Sequence, residues 1–193
     1  ALAAAQAAGI EDIGENRVQE AIQKRESAGD FSLRWHLIGH LQSNKAKFVP
    51  GNFAVVHSVD SLKVAEALTR ALRHRSEAGS PVKPLRTLLQ VNVAGEGQKS
   101  GCALDQAEAL AHQIAEMREL RLEGLMTMAP LSGDEKIQRD TFRGLRTVRD
   151  GLVSSGLELP ELSMGMSGDF RAAVAEGATM VRLGTVLFGE RQR

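Results

Sequence analysis

"LRTLLQVNVAGEGQKSGCALDQAEALAHQIAEMRELRLEGLMTMA", residues 85–129, decides how this chain folds. It opens on a short Leu- and Val-rich run, 85–93, of the kind that forms a buried strand. A glycine-rich turn, 95–101, follows. Residues 103–117 then repeat apolar side chains at helical spacing, and 120–129 return to a strand pattern. A strand, a crossover helix and a second strand make a βα unit, whose two strands run parallel.

The same rhythm extends in both directions. Upstream, strands are predicted at 10–14, 33–40 and 53–59, with helices at 16–29, 43–49 and 61–79. Downstream, a helix is predicted over roughly 134–155, a strand over 161–166 and a helix over 169–177. Residues 179–189 close the series as a last strand. That makes seven parallel strands. No Pro- or Ser-rich linker divides them, so residues 1–193 read as a single domain.

The opening "ALAAAQAAG" reads as the end of an Ala-rich helix stopped by Gly9. The chain thus reads as N-terminally incomplete, and an eighth βα strand is expected upstream of Ala1. Eight such units close a (β/α)8 TIM barrel. An open doubly wound sheet is the alternative, but its usual G-x-G-x-x-G turn is absent.

Composition narrows the function. Hydrophobic residues make up 42% of the chain, enough for a sizeable core. Lys plus Arg and Asp plus Glu both number 24, so no global field draws in nucleic acid or an anionic membrane, and any anion site is local. The single cysteine, Cys102, forms no intrachain disulfide and points to a reducing compartment, the cytoplasm, with a small inert side chain favoured over a catalytic thiol. No apolar run reaches the ~18 residues of a membrane span.

In a barrel the functional face lies at the C-terminal ends of the strands. There the sequence offers Gly14-Glu15-Asn16, His40, His57-Ser58, Asn92, Thr127, Ser163 to Ser167 and Arg182 to Thr185. In "LSMGMSGDF", 162–170, glycines let a ligand approach the backbone, and the following helix start offers free N–H groups. Barrels often bind phosphate after strands 7 and 8. Ser163, Ser167, Gly184 and Thr185 therefore form a candidate phosphate site; the alternative is helix capping by Ser167 or Asp169. Arg182 alternates with Val181 and Leu183, so it faces inward and needs an acceptor: a carboxylate, or a ligand's ring nitrogen or anion. His36 and His40 share a strand face, but no Cys or acidic cluster completes a metal site. Met126 and Met128 read as barrel packing, and Lys99 lies in a loop.

Taken together, "GENRVQEA" (14–21), "WHLIGHLQSNK" (35–45), "HSVDS" (57–61), "GLMTM" (124–128), "LSMGMSGDF" (162–170), "VRLGT" (181–185) and "FGER" (188–191) resemble the pyridoxal-phosphate homeostasis protein family, in order over essentially the whole chain. The resemblance implies the barrel of the alanine racemase N-terminal domain and pyridoxal 5′-phosphate as cofactor. It places the phosphate on Ser163 and nearby backbone N–H groups together with Gly184 and Thr185, counts Met164, Gly165 and Ser167 among the cofactor-binding residues, and sets Arg182 at the pyridine nitrogen. Asn16, His40 and Ser58 would line the mouth. The family's cofactor-anchoring lysine lies on the first strand, in an apolar run ending Val-Ser-Lys. None of Lys24, Lys45, Lys47, Lys63, Lys83, Lys99 or Lys136 has that context, so it is expected upstream of Ala1, and no residue here is assigned a catalytic role.

The resemblance implies a monomer that buffers or delivers the cofactor, with apo-enzymes as partners. Racemases on this scaffold use a tyrosine from a second domain; this chain has no tyrosine. A racemase or decarboxylase remains the alternative, with His40 as its acid or base. A phosphosugar enzyme would need Glu15 or Asp60 as a base.

Overall fold

The computed structural model describes residues 2–28, 33–80, 82–97, 100–131 and 133–189. Seven strands form one parallel sheet: β1 (Asp12–Glu15), β2 (Arg34–Leu37), β3 (Val55–Val59), β4 (Leu85–Gln90), β5 (Leu120–Met126), β6 (Glu161–Met166) and β7 (Met180–Arg182). Their order in space is their order in the chain, β1 to β7, so every connection is a crossover to the next strand. This is a nearly closed (β/α) barrel, and the doubly wound alternative is ruled out because that topology reverses its strand order.

Helices cover the outside: α1 (Leu2–Ala7), α2 (Val18–Ala28), α3 (Leu62–Glu77), α4 (Ala107–Ala115), α5 (Glu135–Ser154), α6 (Phe170–Ala175) and α7 (Thr185–Phe188). Two predicted elements differ. The short helix at 43–49 is a 3-10 helix, Ser43–Phe48. The last strand stops at Arg182, and Gly184 turns the chain into α7, because the hydrophobic run 179–189 is spent on two elements.

Strand alternation splits the barrel into two environments. Trp35, Leu37, Val56, Leu89, Leu125, Leu162 and Met164 point outward and pack with Leu68, Ile114, Phe142 and Leu145 of the helices in one hydrophobic core. At about 25 cal/mol per Å2 of buried apolar surface, this layer is the main favourable term in folding. The inward positions are more polar than the Leu- and Val-rich strands predict. They include Asp12, His36, His57, Ser163 and Arg182, joined in one series of hydrogen bonds, and Glu123, which pairs separately with Arg86.

Outside the sheet, Glu176 ends α6 at 3% side-chain exposure and takes three arginines of α5. Arg139 Nε and Arg143 Nη2 reach Oε1 at 2.9 and 3.1 Å, and Arg146 Nη2 reaches Oε2 at 3.3 Å. Burial pushes this carboxyl up, but hydrogen bonds from Arg139 and Arg143 and their charges hold it below the usual value. Glu176→Ala is expected to cost about 2–3 kcal/mol in urea unfolding. That is less than a fully buried pair loses, because the freed guanidiniums can turn to water.

Candidate functional site

The C-terminal end of the barrel is built by β6, β7 and the turns after them. On β6, Leu162 and Met164 join the helix-side core, so Ser163 between them faces inward. The strand ends at Met166. Gly165 adopts φ +93°, and a Cβ there would lie 2.6 Å from the Cβ of Ala173. Glycine therefore supplies the backbone bend and lets α6 fold closely against β6.

Ser167, just past the strand, does not cap α6. Its hydroxyl reaches across to the β7–α7 turn, where it accepts hydrogen bonds from the backbone N–H of Gly184 (3.1 Å) and of Val186 (3.4 Å). Asp169 stays local, accepting from the Met166 N–H at 2.5 Å. Two backbone donors thus converge on one oxygen beside exposed Gly184 and Thr185. An anionic oxygen would satisfy the same donors.

Ser163, expected to seat a phosphate together with Gly184 and Thr185, lies deeper in the barrel than Ser167. It is fully buried, with its hydroxyl committed to two side chains. Arg182 Nη1 donates to Ser163 Oγ at 2.6 Å, and His57 Nδ1 lies 2.8 Å from the same oxygen. The reason is position along the strand: Ser163 is the third residue of β6, whereas Ser167 is beyond its end. Met164 also differs, since its side chain fills the helix-side core and only its backbone remains for a ligand.

Arg182 donates through Nη2 to the Thr127 carbonyl at 2.9 Å. Thr127 is in turn fixed by its own hydroxyl, which donates to the Val91 carbonyl at 2.8 Å. Among the described residues no carboxylate pairs with Arg182. Burial lowers its pKa to about 10, with the charge of Asp169 opposing, so it stays cationic at neutral pH. A half-buried cation held by two neutral acceptors has donors left for a ligand.

The histidines separate. His36 Nδ1 lies 2.8 Å from His57 Nε2, and His36 Nε2 lies 2.9 Å from Asp12 Oδ1, so His36 belongs to the interior. His40 lies beyond β2, exposed, with Nδ1 3.3 Å from Asp60 Oδ2. The shared face of a histidine pair is thus lost, and among the described residues no group of His, Cys, Asp or Glu is arranged to hold a metal. Asn16 is exposed directly after β1, and its backbone abuts Gly39: a Cβ on Gly39 would lie 2.3 Å from the Asn16 carbonyl oxygen. Ser58 is fully buried with an unpartnered hydroxyl. Glu15 faces the helices and pairs with Lys24, away from the barrel interior, which removes it as a base at the mouth. The Cys102 thiol is pushed up to about 11 by burial, with the Asp60 charge adding, so it is a protonated, inert side chain. Lys99 lies outside the described residues.

His57 and Asp12 were not singled out as partners of Ser163 and His36. The available signal was parity: His36 between Trp35 and Leu37, and His57 among valines, both have to face inward.

The fold, seven parallel strands in a nearly closed barrel, is that of an alanine racemase N-terminal type barrel. The profile of the alanine racemase N-terminal domain matches residues 1–192. The chain is 46% identical over 187 residues to the pyridoxal phosphate homeostasis protein of Pseudomonas aeruginosa, covering 97% of this chain and 77% of that one. It is 40% identical to the solved structure of PipY from Synechococcus elongatus with pyridoxal phosphate bound, at a TM-score of 0.86 over 97% of this chain and 86% of PipY. Alanine racemase of Clostridium difficile superposes at a TM-score of 0.78 with 14% identity, over the full chain and 48% of the racemase, and shares the fold. The chain belongs to the pyridoxal phosphate homeostasis protein family.

Proposed function

We propose that this protein binds pyridoxal 5′-phosphate at the C-terminal mouth of the barrel and carries the cofactor rather than turning over a substrate. The observation that carries the reading is the convergence of the Gly184 and Val186 N–H groups on the Ser167 hydroxyl, at the end of the strand that bears Arg182. These groups fit the two ends of the cofactor. Ser167, Gly184, Thr185 and Val186 would hold the phosphate, and Arg182 would donate to the ring nitrogen. Ser163 would hold Arg182 instead of the phosphate. Asn16, His40 and Ser58 would line the mouth.

Bound pyridoxal 5′-phosphate supplies a reactive aldehyde on an electron-withdrawing ring. An arginine at the ring nitrogen donates a hydrogen bond without giving up its proton, since Arg182 remains cationic at neutral pH. That weakens the ring as an electron sink and favours storage over turnover. No residue of this chain is a tyrosine, so the partner base that a racemase uses is not supplied by this barrel. No described helix is long and apolar enough to cross a membrane.

Ser167→Ala tests the site. Its affinity for pyridoxal 5′-phosphate is expected to fall roughly tenfold, the worth of one hydrogen bond to a charged oxygen. Affinity for pyridoxal, which lacks the phosphate, should stay near parent. Equal losses for both ligands would place the phosphate elsewhere. The carrier role predicts cofactor transfer to an apo-enzyme in a mixing assay; sustained amino-acid racemisation or decarboxylation by the full-length protein would overturn it.

A further inference from the structure

We infer that His36 and His57 are positioning residues, which hold Arg182 through the Ser163 hydroxyl in a hydrogen-bond chain with one fixed proton order. The role rests on the cofactor reading above; the proton order does not.

The chain runs the length of the barrel interior. Asp12 and Arg34 begin β1 and β2 at one end, and Arg182 ends β7 at the other. Asp12 receives Arg34 through Nε at 2.7 Å and Nη2 at 2.8 Å. From Asp12 the links are His36 Nε2 (2.9 Å), His36 Nδ1 to His57 Nε2 (2.8 Å), His57 Nδ1 to Ser163 Oγ (2.8 Å) and Ser163 Oγ to Arg182 Nη1 (2.6 Å).

The two ends decide every proton between them. A guanidinium only donates, and an ionised carboxylate only accepts. His36 Nε2–H therefore donates to Asp12, which leaves Nδ1 of the neutral ring as an acceptor. His57 Nε2–H donates to that nitrogen, which leaves His57 Nδ1 as an acceptor. The Ser163 hydroxyl donates to His57 Nδ1 and accepts from Arg182. The reverse order would aim two donors at Ser163 Oγ and strand its own hydrogen in a fully buried site, an unmet donor costing on the order of 1–3 kcal/mol. Both imidazoles are neutral at neutral pH, because burial pushes His57 down to about 3 and lowers His36 against the pull of Asp12.

The consequence lies in the guanidinium. Donating to His57 makes Ser163 Oγ a better acceptor, since successive hydrogen bonds polarise one another. Two nitrogens of Arg182 are then fixed, one on Ser163 and one on the Thr127 carbonyl. The remaining donors cannot swing, so the group at the cofactor's ring nitrogen is pre-oriented.

Two measurements on the full-length protein test this. The first is side-chain 15N NMR without cofactor. It should show His36 and His57 both protonated at Nε2 and bare at Nδ1; a His57 protonated at Nδ1 would overturn the order. The second uses pyridoxal 5′-phosphate labelled with 15N in its ring, bound to the parent, His57→Gln, His57→Leu and Ser163→Ala. Glutamine retains an acceptor for Ser163 and a donor for His36, whereas leucine fills the space alone. In His57→Leu and Ser163→Ala the ring-nitrogen signal should move toward that of the free, unprotonated ring, and affinity should fall about five- to tenfold. His57→Gln should stay within about twofold of the parent. Equal impairment of Gln and Leu, or an unmoved signal in both Leu and Ser163→Ala, would reduce the histidines to filler. A parent that binds no cofactor refutes the reading of the site and with it this role, while the proton order is judged by the first measurement alone.

Discussion

Gly124→Ala is expected to leave no folded protein in solution. Gly124 lies in β5, paired with Glu161 of β6. A Cβ at Gly124 would lie 2.0 Å from the Glu161 carbonyl oxygen and 2.6 Å from its carbon. Both are backbone atoms of a neighbouring strand, so no side chain can turn aside to make room. Relief requires β5 and β6 to separate in the middle of the sheet, losing their ladder and the layer of Leu125 and Leu162 behind it. The cost exceeds about 5 kcal/mol, comparable with the whole stability of a typical domain. Gly151→Ala is the control. It sits within α5 with nothing near the added methyl, and should stabilise by about 0.5–1 kcal/mol through helix propensity. Soluble yield and urea unfolding of the two variants check the contrast; a folded Gly124→Ala protein would mean that the strands are not packed as described.

The second large effect is loss of stability in mild acid. His57 is 2% exposed, and its pKa is pushed down to about 3. Burial is the chief cause, and the charges of His36, Arg182 and Arg86 add to it, while Asp12 opposes. In the unfolded chain the imidazole titrates near 6.5. Between those values the unfolded state binds a proton that the native state refuses. Stability is therefore fully present above the unfolded value and drains away as pH falls, by about 1.4 kcal/mol per pH unit. Over the whole window His57 alone is worth on the order of 5 kcal/mol. His36, lowered in the same direction, steepens the slope. The carboxylates of Asp12 and Glu176 are held low and lose their contribution only in stronger acid, so pH 4.5–6.5 isolates the histidines. Urea midpoints across that range should fall steeply for the parent and less for His57→Gln. A flat parent profile would show that the ring is not held neutral inside the barrel.

The fold was legible because the βα rhythm is written in strand- and helix-length apolar patterns. Residues 161–166 were bounded correctly, since a polar cluster follows at once. The last element was not, because "TMVRLGTVLFG" is apolar throughout and periodicity alone does not show a three-residue strand turning into a helix. At the site, the inward aim of Arg182 followed from alternation. The roles of Ser163 and Ser167 did not, because two serines four residues apart look alike until the end of the strand is known. The interior histidine chain joins β1, β2, β3, β6 and β7, and its longest link spans 106 positions. Single-strand parity announces that each member faces inward; only the curling of the sheet into a nearly closed barrel shows that they meet.

The matching of strand order in space to strand order in the chain also governs assembly. Each strand finds its partner one crossover away, so every closure bridges a modest loop and meets a similar entropic cost. The sheet can then grow outward from any paired unit, one layer at a time, without threading one segment past another. The polar chain is the exception, because it is completed only when the last strand delivers Arg182. Side-chain order at the mouth therefore requires β1, β2, β3, β6 and β7 together, and the rigidity of the site is a property of the whole sheet rather than of any one βα unit.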